Sequence, residues 1–248
     1  SSLSNKSELK AYYSFDSLNL TLPTTPTFED DFSGSNTWTS DGTLVAVNTS
    51  TDVVDWDADQ SSAGQDQIYK DLTTVSDTKW VVDFDITYNT VTSGSDTDGT
   101  YLMICLDSII ADANTAGHDA LGIVYELDNT PSNNASIGAF AIDNKNIYDG
   151  AKFNSGTGDR AVFSETAQAS ETHYVRMVRD GSTFTVHLYS SSARTGTPTE
   201  SANVDATDGG TVSGLQYLKI MTSRDNTGDH EFDGTIDNVK FYNNTTTA

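Results

Sequence analysis

The sequence is short of cysteine (one), proline (four) and basic residues (13 in 248). A lone thiol cannot close a disulfide within the chain, so cysteine usage does not reveal the compartment. Cys105 sits in the apolar run Tyr101-Leu-Met-Ile-Cys-Leu106 and reads as a small buried core residue. Against so few bases stand 36 acidic residues, a formal net charge of -23. Such a chain repels phosphates and anionic headgroups, which argues against nucleic acid as a partner and against membrane insertion. There is no apolar run of transmembrane length and no signal-peptide pattern, and the polar start SSLSNKSELK reads as a mature or trimmed N-terminus. The histidines, at 118, 173, 187 and 230, lack the spacing of a zinc site. No G-x-S-x-G, no phosphate-cradling glycine loop and no dinucleotide fingerprint occurs. Helical periodicity is nearly absent; only Ile109 to Thr115 suggests a turn or two.

What the chain has in quantity is threonine, serine, aspartate and asparagine, with a 35 % apolar fraction rich in large side chains. Strand-like runs separated by polar turns recur from end to end. The clearest is Trp80-Val-Val-Asp-Phe-Asp-Ile-Thr-Tyr88, with Trp80, Val82, Phe84, Ile86 and Tyr88 on one face and Asp83, Asp85 and Thr87 on the other. His173 to Val178 and Ser182 to Tyr189 flank Arg179-Asp180-Gly181, a hairpin turn because Asp-Gly tolerates positive φ. Asp55-Trp-Asp-Ala-Asp59 has the spacing of a calcium loop, but Gln60 stands where that loop needs glycine. The alternation of Val54, Trp56 and Ala58 makes a strand the better reading. About a dozen strands with no helical layer predict an all-β fold of two antiparallel sheets packed face to face. With no composition break, residues 1–248 read as one sandwich domain with linker-like ends at 1–8 and 244–248.

The closing run Phe232-Asp-Gly-Thr-Ile-Asp-Asn-Val-Lys-Phe-Tyr-Asn243 poses a question of charge. Strict alternation puts Asp237 on the same side as Val239 and Phe241, the core side. A carboxylate there must be hydrogen-bonded or bind a metal.

This run and Phe28-Glu-Asp-Asp-Phe-Ser-Gly-Ser-Asn-Thr-Trp38 together resemble the closing and opening strands of the concanavalin A-like lectin/glucanase jelly rolls. Those proteins open on D-E/D-F-x-G…W and close on I/V-D-x-V-R/K-h-Y. Ala11-Tyr-Tyr-Ser-Phe-Asp16 is similar to the opening of the laminin-G-like members, and Thr183 to Tyr189 to one of their later strands. The resemblance implies a jelly-roll sandwich whose first and last strands lie side by side. It also implies a structural Ca2+ held by Asp237 together with Asp30 or Asp31, through side chain or backbone oxygen. The alternative for Asp237 is hydrogen bonding to a neighbouring strand or bulge. The family's enzymes carry an E-x-D-x-E strand. Asp83-Phe-Asp85, Asp55 to Asp59 and Glu231-Phe-Asp233 are the nearest phrases, and none matches.

The expected function is therefore a non-catalytic glycan-binding module, secreted or at the cell surface; sequons at Asn5, Asn19, Asn48, Asn134, Asn243 and Asn244 lean the same way. Sugar binding in such a fold uses aromatic faces beside polar loops. Trp56, Tyr125 and Tyr148 are the candidate ligand-binding residues, with Trp38 and Phe153 behind them, and the loop-rich stretch Asn129 to Gly158 is the expected location. The alternative is a structural surface or appendage protein that assembles with copies of itself or other surface proteins, with LKAYYSF as a candidate exchanged strand.

Overall fold

The structure, a computed structural model, describes residues 25–34, 37–58, 66–93, 99–127, 135–147, 159–207, 211–224 and 230–244. The Ala11 to Asp16 motif, LKAYYSF, Tyr148 and Phe153 lie outside the described residues. Fifteen strands are described: β1 Phe28–Asp30, β2 Thr39–Ser40, β3 Val45–Asn48, β4 Val53–Asp57, β5 Asp66–Asp71, β6 Lys79–Thr92, β7 Thr100–Asp107, β8 His118–Leu127, β9 Ala135–Lys145, β10 Asp159–Ala167, β11 Thr172–Asp180, β12 Thr183–Tyr189, β13 Glu200–Asp205, β14 Tyr217–Arg224 and β15 Glu231–Asn243.

They form two antiparallel sheets. One has eight strands in the order β13-β12-β11-β6-β15-β4-β3, with β1 also paired to β15; the other has seven, β10-β9-β8-β7-β14-β5-β2. The expected face of β6 is the core face: Trp80, Val82, Phe84, Ile86 and Tyr88 are all at most 1 % exposed. They pack across the sandwich against Leu102, Ile104, Leu121 and Ile123 of the seven-stranded sheet. The expected hairpin joins β11 to β12, with Asp180 opposite Thr183 and Gly181 at φ 63. Asp55-Trp-Asp57 is a strand, not a loop, since it lies within β4. Residues Ile109 to Thr115 form no helix; they are a loop with one turn, closed by Thr115 N–H donating to Asp112 O (2.8 Å).

Close packing fixes single residues. A Cβ at Gly234 would stand 2.1 Å from Thr87 O and 2.7 Å from a ring carbon of Trp56. At that point β15 carries no side chain, which leaves room for the Trp56 indole. One cluster at the same end joins both sheets: Trp56 meets Phe232 edge-on (4.8 Å), and Tyr88 lies 5.6 Å from Tyr125 and 6.3 Å from Phe232. The Tyr88 hydroxyl hydrogen-bonds His173 Nδ1 at 3.0 Å. Burial lowers the His173 pKa to about 4, although Glu165 and Glu171 lie 3.6 and 3.8 Å from its Nε2.

Two expectations follow. Gly234→Ala should cost about 3 kcal/mol by overpacking, read from urea unfolding midpoints at constant m-value. The neutral, buried His173 should make stability fall with acid. Unfolding returns its pKa to about 6.5, so protons bind preferentially to the unfolded chain between there and about 4. The loss is on the order of 3 kcal/mol across that window and absent above it. Glu165 works in the opposite sense, since burial and then Glu200 and Glu171 raise it. Comparing His173→Gln with wild type across pH isolates the histidine: the substitution should flatten the acid limb, and an unchanged limb would refute the assignment.

Candidate functional site

The opening and closing strands do lie side by side. In β1, Phe28, Glu29 and Asp30 pair with Phe241, Lys240 and Val239 of β15. Alternation in β15 is not strict, however. Phe232, Gly234 and Ile236 face the core, as do Val239 and Phe241 further on. The reversal happens at Asn238, which has φ 54. Opposite β6, the register passes from Asp237↔Asp85 to Lys240↔Asp83, so β15 holds one extra residue there. This is a β-bulge, and asparagine tolerates the left-handed conformation it needs. Asp237 is consequently half-buried on the outer face and not in the core, which corrects the expectation from alternation.

Asp237 accepts hydrogen bonds from its neighbour Asn238, through N–H (2.6 Å) and Nδ2 (3.2 Å). Desolvation raises its pKa, and the negative charges of Asp85, Asp31 and Asp52 push in the same direction. Asp30 has both oxygens engaged, Oδ1 by Phe32 N–H (2.8 Å) and Oδ2 by Trp38 Nε1 (3.0 Å). Asp31 accepts from the Ser33 hydroxyl (2.7 Å) and N–H (3.1 Å), which lowers its pKa. The three predicted metal residues thus share one corner but not one coordination sphere. Among the described residues no group of three or more His, Cys, Asp or Glu is placed to hold a metal ion. The donor chemistry does suit calcium, a hard cation that takes carboxylate and carbonyl oxygens alike. Asp237 is also a carboxylate whose charge lacks a basic partner among the interactions that shift it.

Beside the paired strands β1 and β15 lies an open cleft of about 590 Å³, whose walls include Phe28, Asp31, Ser33, Asn238 and Lys240, with Lys70 reaching in from β5. Lys70 stands over the Phe28 ring (5.2 Å) and donates to Thr37 O (3.3 Å). Behind them Trp38 packs edge-on against Phe28 (6.2 Å) and tilted against Phe32 (5.9 Å). Asn238 Nδ2 reaches on to Asp85 (2.9 Å), which also pairs with Arg194. Charges of both signs, a hydroxyl, an amide and an aromatic ring therefore line one concavity. That mixture can exchange hydrogen bonds with a polyhydroxylated ligand and cover its apolar face.

The predicted aromatic platforms fare differently. Trp56 is 1 % exposed and Tyr125 is fully buried, so neither offers a face to a sugar ring in this structure. Trp38 is buried too. Tyr148 lies outside the described residues. Half-buried aromatics occur instead on the outer face of the eight-stranded sheet, where Tyr174 and Tyr189 are register partners. Arg176 lies 5.8 Å from the Tyr189 ring and binds Asp83 with two 2.8 Å hydrogen bonds. Alternation in His173-Tyr-Val-Arg-Met177 carried that signal, since Val175 and Met177 mark the opposite face as core. Of the three phrases nearest to a catalytic strand, Asp83-Phe-Asp85 has both its acids held by arginines.

No helix among the described residues is long and apolar enough to cross a membrane. No protein-family model matches the sequence, and no curated protein is similar to it. Solved structures are similar in shape. The VIP36 exoplasmic/lumenal domain in its Ca2+/Man3GlcNAc-bound form superposes with TM-score 0.55 at 11 % identity, covering 89 % of this chain and 91 % of that one. The Emp47p carbohydrate recognition domain gives 0.54 at 13 % identity over 90 % and 96 %. A putative β-glucanase from Mycobacterium abscessus gives 0.51 at 11 % identity over 88 % and 100 %. The chain has the concanavalin A-like jelly-roll fold.

Proposed function

We propose that this chain is a non-catalytic, extracellular or cell-surface module that binds glycans, carried on a single sandwich domain, with calcium in a structural role where the chain ends meet. The cleft beside the β1–β15 pair carries the reading. It combines Asp31, Lys70, Asn238 and Lys240 with the Phe28 ring, a donor, acceptor and apolar set suited to hydroxyl-rich ligands. The fold is one on which a carbohydrate recognition domain and a Man3GlcNAc-bound domain are built. The engagement of Asp83 and Asp85 by Arg176 and Arg194 supports a binding role over glycoside cleavage, which needs free, converging carboxyls.

A glycan array probed with the intact chain tests this. Binding to one or more neutral glycans is expected, weakened about tenfold to a hundredfold by Lys70→Ala or by Asp31→Asn, since each removes a charged hydrogen-bond partner. A well-folded protein that binds nothing on the array overturns the reading.

In the same proposal calcium is held by the Asp237 carboxylate, with the opening phrase contributing the Asp31 carboxylate or its backbone oxygens. When bound, the ion neutralises a carboxylate that now faces Asp85, Asp31 and Asp52. Added calcium should raise the melting temperature of wild type, chelator should lower it, and Asp237→Asn should respond to neither. An equal response of the variant would move calcium elsewhere, and no response of wild type would remove it.

A further inference from the structure

On the outer side of the seven-stranded sheet, away from the chain-end cleft, Lys219 and Asp107 are both fully buried. Lys219 Nζ donates to Ala111 O at 2.7 Å, to Asp107 Oδ2 at 3.1 Å and to Ile109 O at 3.5 Å. The partners come from adjacent strands, β14 and β7, and from the loop that follows β7. Asp107 also accepts from Ile109 N–H (3.3 Å) through Oδ1. Its Oδ2 lies 2.7 Å from His118 Nδ1, and the other ring nitrogen of His118 lies 3.0 Å from Asp112 O. The ammonium thus gathers two carbonyls from the first half of the loop, and the Asp107 carboxylate links that cation to His118 at the loop's end.

One carboxylate and two backbone carbonyls, all oxygen and all convergent, are the donor set that a hard metal ion takes from a loop. Here the centre of that set holds an ammonium group. A fully buried lysine is costly unless paired and hydrogen-bonded, and this one is both. The loop it holds also covers apolar surface: Ala113, 3 % exposed, packs in a cluster with Met103, Cys105, Phe140 and Met221 on the outer face of this sheet. Burial raises the Cys105 thiol well above its usual range, consistent with a dry interior there.

We propose that Lys219 is a built-in cation. Its ammonium occupies the position of a metal ion in the loop 108–117, so that the loop is ordered over the seven-stranded sheet without any metal. This is independent of the glycan reading and of the chain-end calcium. It has a corollary: removing the ammonium while keeping the oxygens leaves an anionic cage able to take a cation from solution.

Segment-resolved hydrogen exchange on the intact chain tests it. In wild type, chelator should leave amide protection in 108–117 unchanged, and also in Asp237→Asn, where the proposed chain-end metal has lost its carboxylate. Lys219→Ala should lose at least tenfold of that protection and regain part of it with methylammonium or calcium. Lys219→Met, which keeps the stem and lacks the charge, should lose protection and regain none. Chelator-induced loss in wild type would show that a metal holds the loop and would overturn the proposal. So would full protection in Lys219→Met, or a folded Lys219→Ala that no cation restores. Should neither lysine variant fold, the chelator comparison in wild type and Asp237→Asn still decides.

Discussion

The pairing of β15 with β6 is the constraint on which the eight-stranded sheet depends. β15 is the last strand described, yet it lies inside the sheet, with β6 along one edge and both β4 and β1 along the other. The sheet therefore cannot be completed until residues near 231–243 are in place, and its register links positions as far apart as Phe28 and Phe241. Long-range antiparallel pairings of this sort make for high contact order and slow folding. The sharing of one edge between β4 and β1 is possible because β15 changes course midway. Positions 233 to 236 pair with β4, and positions 239 to 241 pair with β1. The bulge at Asn238 separates the two sets. It turns the strand, re-aims Asp237 outward and creates the corner in which the cleft lies.

Charge is the second organising factor. With 36 acids and 13 bases, most carboxylates must find water or backbone donors. Several of the bases are spent on acids with little access to water. Arg176 binds Asp83 bidentately, Arg194 pairs with Asp85, and Lys219 with Asp107, each acid at most 9 % exposed. Replacing any one partner would strand a buried charge, which costs more than the intact pair gains. Two of these pairs stand on the outer face of β6, whose Asp83 and Asp85 look solvent-facing from alternation alone. The arginines cover them, Arg176 from β11 and Arg194 from the segment after β12, where its Nε also donates to Val175 O (3.0 Å).

Those details define what was legible in the sequence. Period-two alternation identified β6 and the β11–β12 hairpin, because a strand half buried in a sandwich writes its face directly into its residues. The phrases around Asp30 and Asp237 correctly placed opening and closing strands together. Alternation then failed at Asn238, because a bulge inserts one residue and no rule of spacing marks it; only an asparagine suited to positive φ hinted at it. Trp56 and Tyr125 were misread for another reason. An aromatic in a strand is identical in sequence whether it faces solvent or the opposite sheet, and here both join a cluster with Tyr88 and Phe232 across the sandwich. The cage around Lys219 was wholly hidden. Its partner Asp107 is 112 positions away, and its other ligands are main-chain oxygens, which carry no residue type.

The two proposed cation centres differ in a way that bears on how the molecule can be regulated. At the chain ends Asp237 faces other carboxylates, so a bound ion there would relieve repulsion, and its occupancy would follow the calcium concentration. On the opposite sheet the charge is covalently part of the chain, so the loop 108–117 is held at any calcium concentration. Metal loss would then loosen the β1–β15 corner, with its cleft, while leaving the seven-stranded sheet and its covering loop intact. A glycan site in that cleft would then be calcium-sensitive, since Asp31 belongs to both the cleft and the proposed metal corner. A site built on the loop side would be indifferent to calcium. The proposed metal dependence is thereby confined to the one corner where the opening and closing strands meet.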